Sequence, residues 1–169
     1  MTFYGTHYHL TELECSPRPI QQPHPPLLIA GAGPRVLSLA AQEADIVGVA
    51  FNTAGRMQIE IGSGKAPAKW IACIKEAASD RFSALELNTI VFHVVITDER
   101  ARGAEELARG WGCTAEELLD TINVLVGSVD EIVEQIQSCR DHFGISYLVA
   151  VGPETMDALA PVVGRLAGT

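Results

Sequence analysis

No stretch of this 169-residue sequence stays apolar long enough to cross a bilayer. The longest runs, such as Leu85 to Ile96, are interrupted by Glu86, Asn88 and His93 and fall short of the roughly 20 residues that a spanning helix needs. Clustered positive charge is also missing. Twelve Lys and Arg are scattered among 21 Asp and Glu, for a net charge of −9, so nucleic acid is not an expected partner, because phosphate neutralisation needs gathered cations. The four cysteines, Cys15, Cys73, Cys113 and Cys139, form no C-x-x-C pair and have no histidine at metal-ligand spacing. They are expected as reduced thiols that mostly fill the core, without structural zinc or a disulfide framework. The opening Met1 to Tyr8 has neither the basic cluster nor the apolar segment of a secretory signal, which makes the cytoplasm the default expectation.

What is there suits a soluble globular domain: 47% hydrophobic and 20% charged residues, enough to bury a core of ordinary size. The first 26 residues carry an aromatic-rich opening, Phe3-Tyr4-Gly5-Thr6-His7-Tyr8, and then five prolines between Pro17 and Pro26. Prolines lack amide donors, so residues 1–26 are expected as an extended leading loop. Leu27-Leu28-Ile29-Ala30 reads as a buried parallel strand that ends in a tight turn at Gly31-Ala32-Gly33. Pro34 suits the first turn of a helix, where its missing amide costs nothing. Val36, Leu37, Leu39, Ala40 and Ala44 give that helix its apolar face, and Asp45 to Ala50 forms the next strand.

From Phe51 to Lys65 the chain is polar and glycine-rich, which suggests a mobile loop, and Pro67 to Ser79 resumes helical periodicity. Leu85 to Val95 is the third strand, and Asp98 is expected to start a helix running to about Arg109. Thr114 with Glu117, and Ser128 with Glu131, have capping-box spacing at the starts of two more helices. Ser146 to Val151 is the fourth strand, and Pro153 to Leu166 the closing helix. The class is therefore α/β: residues 27–169 form four βα units, each parallel strand followed by helix, within one domain spanning 1–169. Four units are half of an eight-fold barrel. An open doubly wound sheet fits the periodicity almost as well, since a complete barrel takes about 250 residues and a small open domain far fewer.

The run Pro23 to Gly48 separates these alternatives. Its proline pair Pro25-Pro26, its strand, the glycine turn, the helix Pro34-Arg35-Val36-Leu37-Ser38-Leu39-Ala40-Ala41 and then Ala44-Asp45 resemble a segment of the luciferase-like monooxygenases. Leu125 to Ile132, followed by Phe143-Gly144-Ile145-Ser146-Tyr147, is similar to that family's last helix-to-strand passage. Pro161 to Gly168 resembles the tail of its subfamily that uses the deazaflavin coenzyme F-420. The resemblance implies the carboxy-terminal half of a TIM (β/α)₈ barrel, with strands one to four lacking a counterpart. It implies coenzyme F-420, with FMN as the alternative, and hydride transfer to or from a small organic substrate. It also implies that the chain is inactive alone and pairs with a missing amino-terminal half or with itself. Two further readings stand beside it: a non-catalytic half-barrel interaction protein, and a small phosphate-binding α/β domain.

Gly31, Ala32, Gly33 and Arg35 are the candidate cofactor-binding residues. Free amides at a helix amino end favour an anion, small residues let a phosphate approach, and Arg35 can add a charge-assisted bond. The family implies the coenzyme's phosphate here, whereas without it the glycines serve only the turn. Asn52, Thr53 and Arg56 follow the second strand at the face where barrels carry active sites, and read equally as a solvated loop. His93 reads as a core histidine more readily than as a proton donor at the barrel mouth. His7, His9 and His24 sit in the opening segment, where His7-Tyr8-His9 invites a metal reading but no third ligand with helpful spacing follows, and Glu116-Glu117 suits a helix's first turn. No catalytic constellation stands out.

Overall fold

A computed structural model describes residues 1–14, 16–49 and 65–168. Within the leading segment, strands β1 (Phe3–Tyr4) and β2 (His9–Leu10) pair antiparallel, with Phe3 opposite Leu10. This small hairpin departs from the unbroken extended loop expected there. The rest is built from β3 (Leu28–Gly31), α1 (Pro34–Glu43), β4 (Ile46–Val49), α2 (Lys65–Ala78), a 3-10 turn (Ser79–Ala84), β5 (Glu86–Val91) and β6 (His93–Ile96). Then come α3 (Arg100–Trp111), α4 (Ala115–Leu119), β7 (Val124–Gly127), α5 (Val129–Phe143), β8 (Ile145–Ala150) and α6 (Pro153–Leu166). The glycine-rich stretch from Phe51, with Asn52, Thr53 and Arg56, lies outside the described residues. Among the described residues no helix is long and apolar enough to cross a membrane.

Four parallel strands make the central sheet in the order β3-β4-β5-β8. This order follows the chain without reversal, whereas a doubly wound sheet reverses at a switch point and carries helices on both faces. The alternation of side chains assigns the helices to one face. Ile29, Val47, Val49, Leu87 and Ile145 pack with Leu37 of α1, Ile71 and Ile74 of α2 and Phe143 of α5. The intervening row Ala30, Gly48, Asn88 and Tyr147, aligned across the four strands, belongs to none of the apolar clusters. One face under helices, with strands in chain order, is the wall of a (β/α)₈ barrel.

The third expected strand, Leu85 to Val95, divides at Phe92. β5 stays in the central sheet, while β6 leaves it to pair in parallel with β7, a strand that periodicity did not suggest. Both polar groups of the Phe92 peptide are used at the division: its N–H donates to Asn123 O at 2.8 Å, and its carbonyl accepts from Thr155 Oγ1 at 3.2 Å. Helix therefore follows the third strand only after β6, and α3 starts at Arg100, with Glu99 as its N-cap, instead of at Asp98.

Local chemistry accounts for the ends of the elements. Asp45 Oδ2 accepts from the Leu27 amide at 2.8 Å while Asp45 N–H donates to Leu27 O at 2.9 Å, which fixes the start of β3 against β4. Arg81 donates to the carbonyls of Ala41 (2.7 Å) and Ala44 (2.5 Å) and so satisfies acceptors that a helix end leaves free. Both expected capping boxes are present, Thr114 with Glu117 and Ser128 with Glu131. On α1 the residues Leu37, Ala40 and Ala41 are fully buried, and a side chain of leucine size stabilises by about 1.5–3 kcal/mol when buried.

Candidate functional site

The carboxyl ends of parallel strands are where this architecture carries its sites, and the turn after β3 is the best-defined such end here. Its two glycines serve different physical needs. A Cβ on Gly31 would lie 2.4 Å from Cγ1 and 2.9 Å from Cβ of Val36, so the strand end and the first turn of α1 approach too closely for any side chain. A Cβ on Gly33 would meet no atom within 4 Å among the described residues, but its φ of +144° is a conformation that L side chains rarely adopt. It is the N-cap of α1 without a side-chain cap, its carbonyl accepts from Leu37 N at 3.0 Å, and Pro34 follows in the first turn.

The start of α1 is thus bare backbone. Among the described residues no side chain caps its leading amides, the partial positive charge of the helix end is unopposed by any acidic residue in the first turn, and no atom lies within 4 Å of a Cβ built on Gly33. An anion of phosphate size fits these features. Gly31, Ala32 and Gly33 are brought together at this corner. Arg35, one residue into α1 beyond Pro34, is exposed and makes no hydrogen bond or ion pair among the described residues, so its guanidinium is available to a ligand.

The other candidates are placed by their neighbours. His93 opens β6, at the amino end of that strand, and its ring meets Trp111 edge-on at 6.0 Å. It is half-buried and lies two residues beyond Val91, the carboxyl end of β5. His9 stacks edge-on with Tyr4 at 5.8 Å, and His24 Nδ1 bonds to Pro25 O at 2.9 Å. Among the described residues no group of three His, Cys, Asp or Glu side chains is placed to hold a metal. Glu117 is occupied by its capping box: its carboxylate accepts from Thr114 N at 2.9 Å, and its own amide donates to Thr114 Oγ1 at 3.1 Å.

Sequence reasoning passed over two features. A second strand-to-helix junction of the same type closes β8, where Gly152 at φ +85° caps α6 and Pro153 follows it; the dipeptide Gly152-Pro153 was the visible signal. The other is a buried polar network. Asn123 Nδ2 donates to Thr89 Oγ1 (3.2 Å) and to Ile90 O (2.6 Å), Asn123 Oδ1 accepts from Thr121 Oγ1 (3.1 Å), and Thr89 Oγ1 donates to Val49 O (3.2 Å). On the helix-free face, Asn88 Nδ2 donates to Tyr147 O at 3.0 Å.

Comparison with known proteins gives three results. The family model described as luciferase-like monooxygenase matches residues 1–119. No curated protein matches the sequence. Among solved structures, monooxygenase RslO1 from Streptomyces bottropensis is 19% identical with a TM-score of 0.66, covering 98% of this chain and 55% of its own. An F-420-dependent secondary alcohol dehydrogenase in complex with an F-420–acetone adduct is 14% identical, TM-score 0.67, covering 98% and 54%. The coenzyme F-420-dependent tetrahydromethanopterin reductase of Methanopyrus kandleri is 16% identical, TM-score 0.64, covering 97% and 56%. The chain spans about half the length of the solved structures that it matches.

Proposed function

The chain belongs to the luciferase-like monooxygenase family, and we propose that it forms the carboxy-terminal part of a coenzyme F-420-dependent oxidoreductase acting on a small organic substrate. The observation that carries this reading is the bare corner at Gly31-Ala32-Gly33, where a helix amino end, an open flank and the unpaired Arg35 fit a coenzyme phosphate. When bound, the deazaflavin supplies a ring carbon that gives or takes a hydride, and the protein orients it. In this chain the Gly33 corner anchors the phosphate through backbone amides, Arg35 adds a charged contact, and Gly31 lets α1 pack close enough to aim those amides.

F-420 is favoured over FMN by the tail Pro161 to Gly168, which here completes α6. Two of the solved relatives, the dehydrogenase and the reductase above, are F-420-dependent by name. The helix-free face and the two edge strands support the partial character. Leu28 on β3 and Tyr147 on β8 are exposed, and an open parallel sheet is normally covered on both faces. On this reading a further four-strand piece completes the barrel, and the chain alone does not turn over substrate.

Titration of the 169-residue chain with inorganic phosphate, F-420 and FMN tests the reading, with ligand fluorescence and melting temperature followed together. Binding of F-420 that raises the melting temperature and is weakened in Gly33→Asp is the expected result. Equal phosphate affinity in wild type and Gly33→Asp would remove the anchor, and retention of FMN with indifference to F-420 would overturn the choice of coenzyme.

A further inference from the structure

Among the described residues beyond Pro26 nine large apolar side chains are exposed, and eight of them belong to the two units at the free edges of the central sheet. Leu27, Leu28, Val36 and Leu39 stand at β3 and on α1, and Tyr147, Val151, Met156 and Val163 at β8 and on α6. On both edge helices the exposed stripe turns away from the rest of the chain. Ser38 Oγ of α1 meets Cys73 Sγ of α2 at 3.9 Å, and at about 100° per residue Val36 and Leu39 fall on the opposite flank. Arg165 of α6 pairs with Asp130 of α5 at 2.8 Å, whereas Met156 and Val163, two turns apart, face the other way. Beside them a groove of about 410 Å³ lies between α6 and Leu148 and Ala150 of β8. A strand edge with an apolar flank is ordinarily covered.

We propose that a second copy of this chain covers both edges, with β8 and α6 of each copy packing on β3 and α1 of the other, so that two copies close one eight-stranded barrel. This rests on the half-barrel part of the reading above and not on the coenzyme. Three features let one sequence serve as its own partner. All four strands run parallel, so β8 of one copy meets β3 of the other in the same sense. The chain superposes over 98% of its length on about half of a full-length relative, so half a turn about the barrel axis brings the edges together with four strands from each copy. The exposed half of a large apolar side chain is on the order of 90 Å². Eight on each copy bring roughly 1,400 Å² to the two seams, within the roughly 1,200–2,000 Å² of stable interfaces. In the pair, Leu27, on the helix side two residues before Ile29, fills the groove beside α6, and Val36 and Leu39 pack on Met156 and Val163.

Analytical ultracentrifugation of the full chain over a range of concentrations, in buffer free of phosphate and F-420, tests this, and a dimer is expected. Leu39→Lys and Val163→Glu each change a side chain that is exposed in the single copy, so helix content by circular dichroism should hold. Each should weaken self-association about 100-fold, because both seams then bury an unpaired charge. Combined in one chain, the two changes set opposite charges across each seam and should restore most of the association. That restoration also decides the case if a single variant unfolds instead of dissociating. A folded monomer at every concentration would mean that the edges await an unlike chain and would overturn the proposal. So would an assembly larger than two, a dimer indifferent to both single variants, or no recovery in the combined chain. A monomer that binds F-420 would reject the pairing and keep the coenzyme, whereas a dimer that ignores F-420 would do the reverse.

Discussion

Asn123 Nδ2 donates to Thr89 Oγ1 across 3.2 Å, joining the linker that precedes β7 to the middle of the central sheet. Both side chains are almost wholly buried. Through Thr89 the contact reaches Val49 O of β4, and through Asn123 it reaches Thr121 and Ile90. A fully satisfied buried network rigidifies the elements it joins, and breaking one member leaves the others unpaired in a low dielectric.

Truncation of Asn123 to alanine should therefore cost about 2–4 kcal/mol, more than a single surface bond, because the Ile90 carbonyl and the Thr89 and Thr121 hydroxyls all lose a partner. Urea denaturation measures this. A loss below about 1 kcal/mol would mean that water replaces the amide.

Gly31 and Gly33 should respond differently to the same substitution. Gly31→Ala drives a Cβ into Val36, whereas Gly33→Ala meets no atom and pays only for its backbone conformation, about 1–3 kcal/mol. Val36→Ala placed in each background separates the two. Thermal melts should show partial recovery for Gly31→Ala, since Cγ1 is removed while Cβ of residue 36 stays at 2.9 Å, and none for Gly33→Ala; equal recovery in both would contradict the assignment of overlap to one and strain to the other.

The Ser128–Glu131 capping box predicts an acid limb. Backbone and side-chain hydrogen bonds from Ser128, with Arg100 nearby, hold the Glu131 carboxyl below the usual range. A lowered folded value means that the stabilisation is complete above the unfolded glutamate range and is lost as pH falls through the folded value. Glu131→Gln should melt below wild type at neutral pH, and the difference should shrink once the pH drops below about 4. A difference that stays constant with pH would exclude the charge. Ser128→Ala should cost about 1 kcal/mol at neutral pH.

Cys139 should resist alkylation in the folded chain. Burial pushes its thiol up to about 11, leaving about one thiolate in a thousand at pH 8, against about a quarter for a free cysteine. Peptide mapping after brief iodoacetamide treatment should find Cys139 unmodified until denaturant is added. Rapid labelling without denaturant would show that the packing around α5 opens readily.

What could be read from the sequence is what depends on near neighbours. Pro34 marked the start of α1, and the spacings Thr114-Glu117 and Ser128-Glu131 marked two further helix starts to the residue. The strand β7 was missed because its four residues follow Asp120-Thr121-Ile122-Asn123 without alternation. Its partner, His93–Ile96, also lies some thirty residues earlier in the chain, and no local signal carries such a pairing. The division at Phe92 was hidden for a related reason: Val91, Phe92 and Val94 are all apolar, and the peptide is redirected by Asn123 and Thr155, which are distant in sequence. At the candidate site the glycine turn was legible as a turn. The separate reasons for Gly31 and Gly33 were not, since one arises from the proximity of a helix side chain and the other from a dihedral angle.

The two bonds at the Phe92 peptide have a mechanical consequence. The chain crosses there from the large sheet to the small one, and it is gripped on one side by the linker before β7 and on the other by the first turn of α6. A swing of the β6–β7 pair must break one grip or carry α6 with it. The crossing point thus ties the small sheet to the helix behind Gly152 through a single hydroxyl, a link worth about 1 kcal/mol.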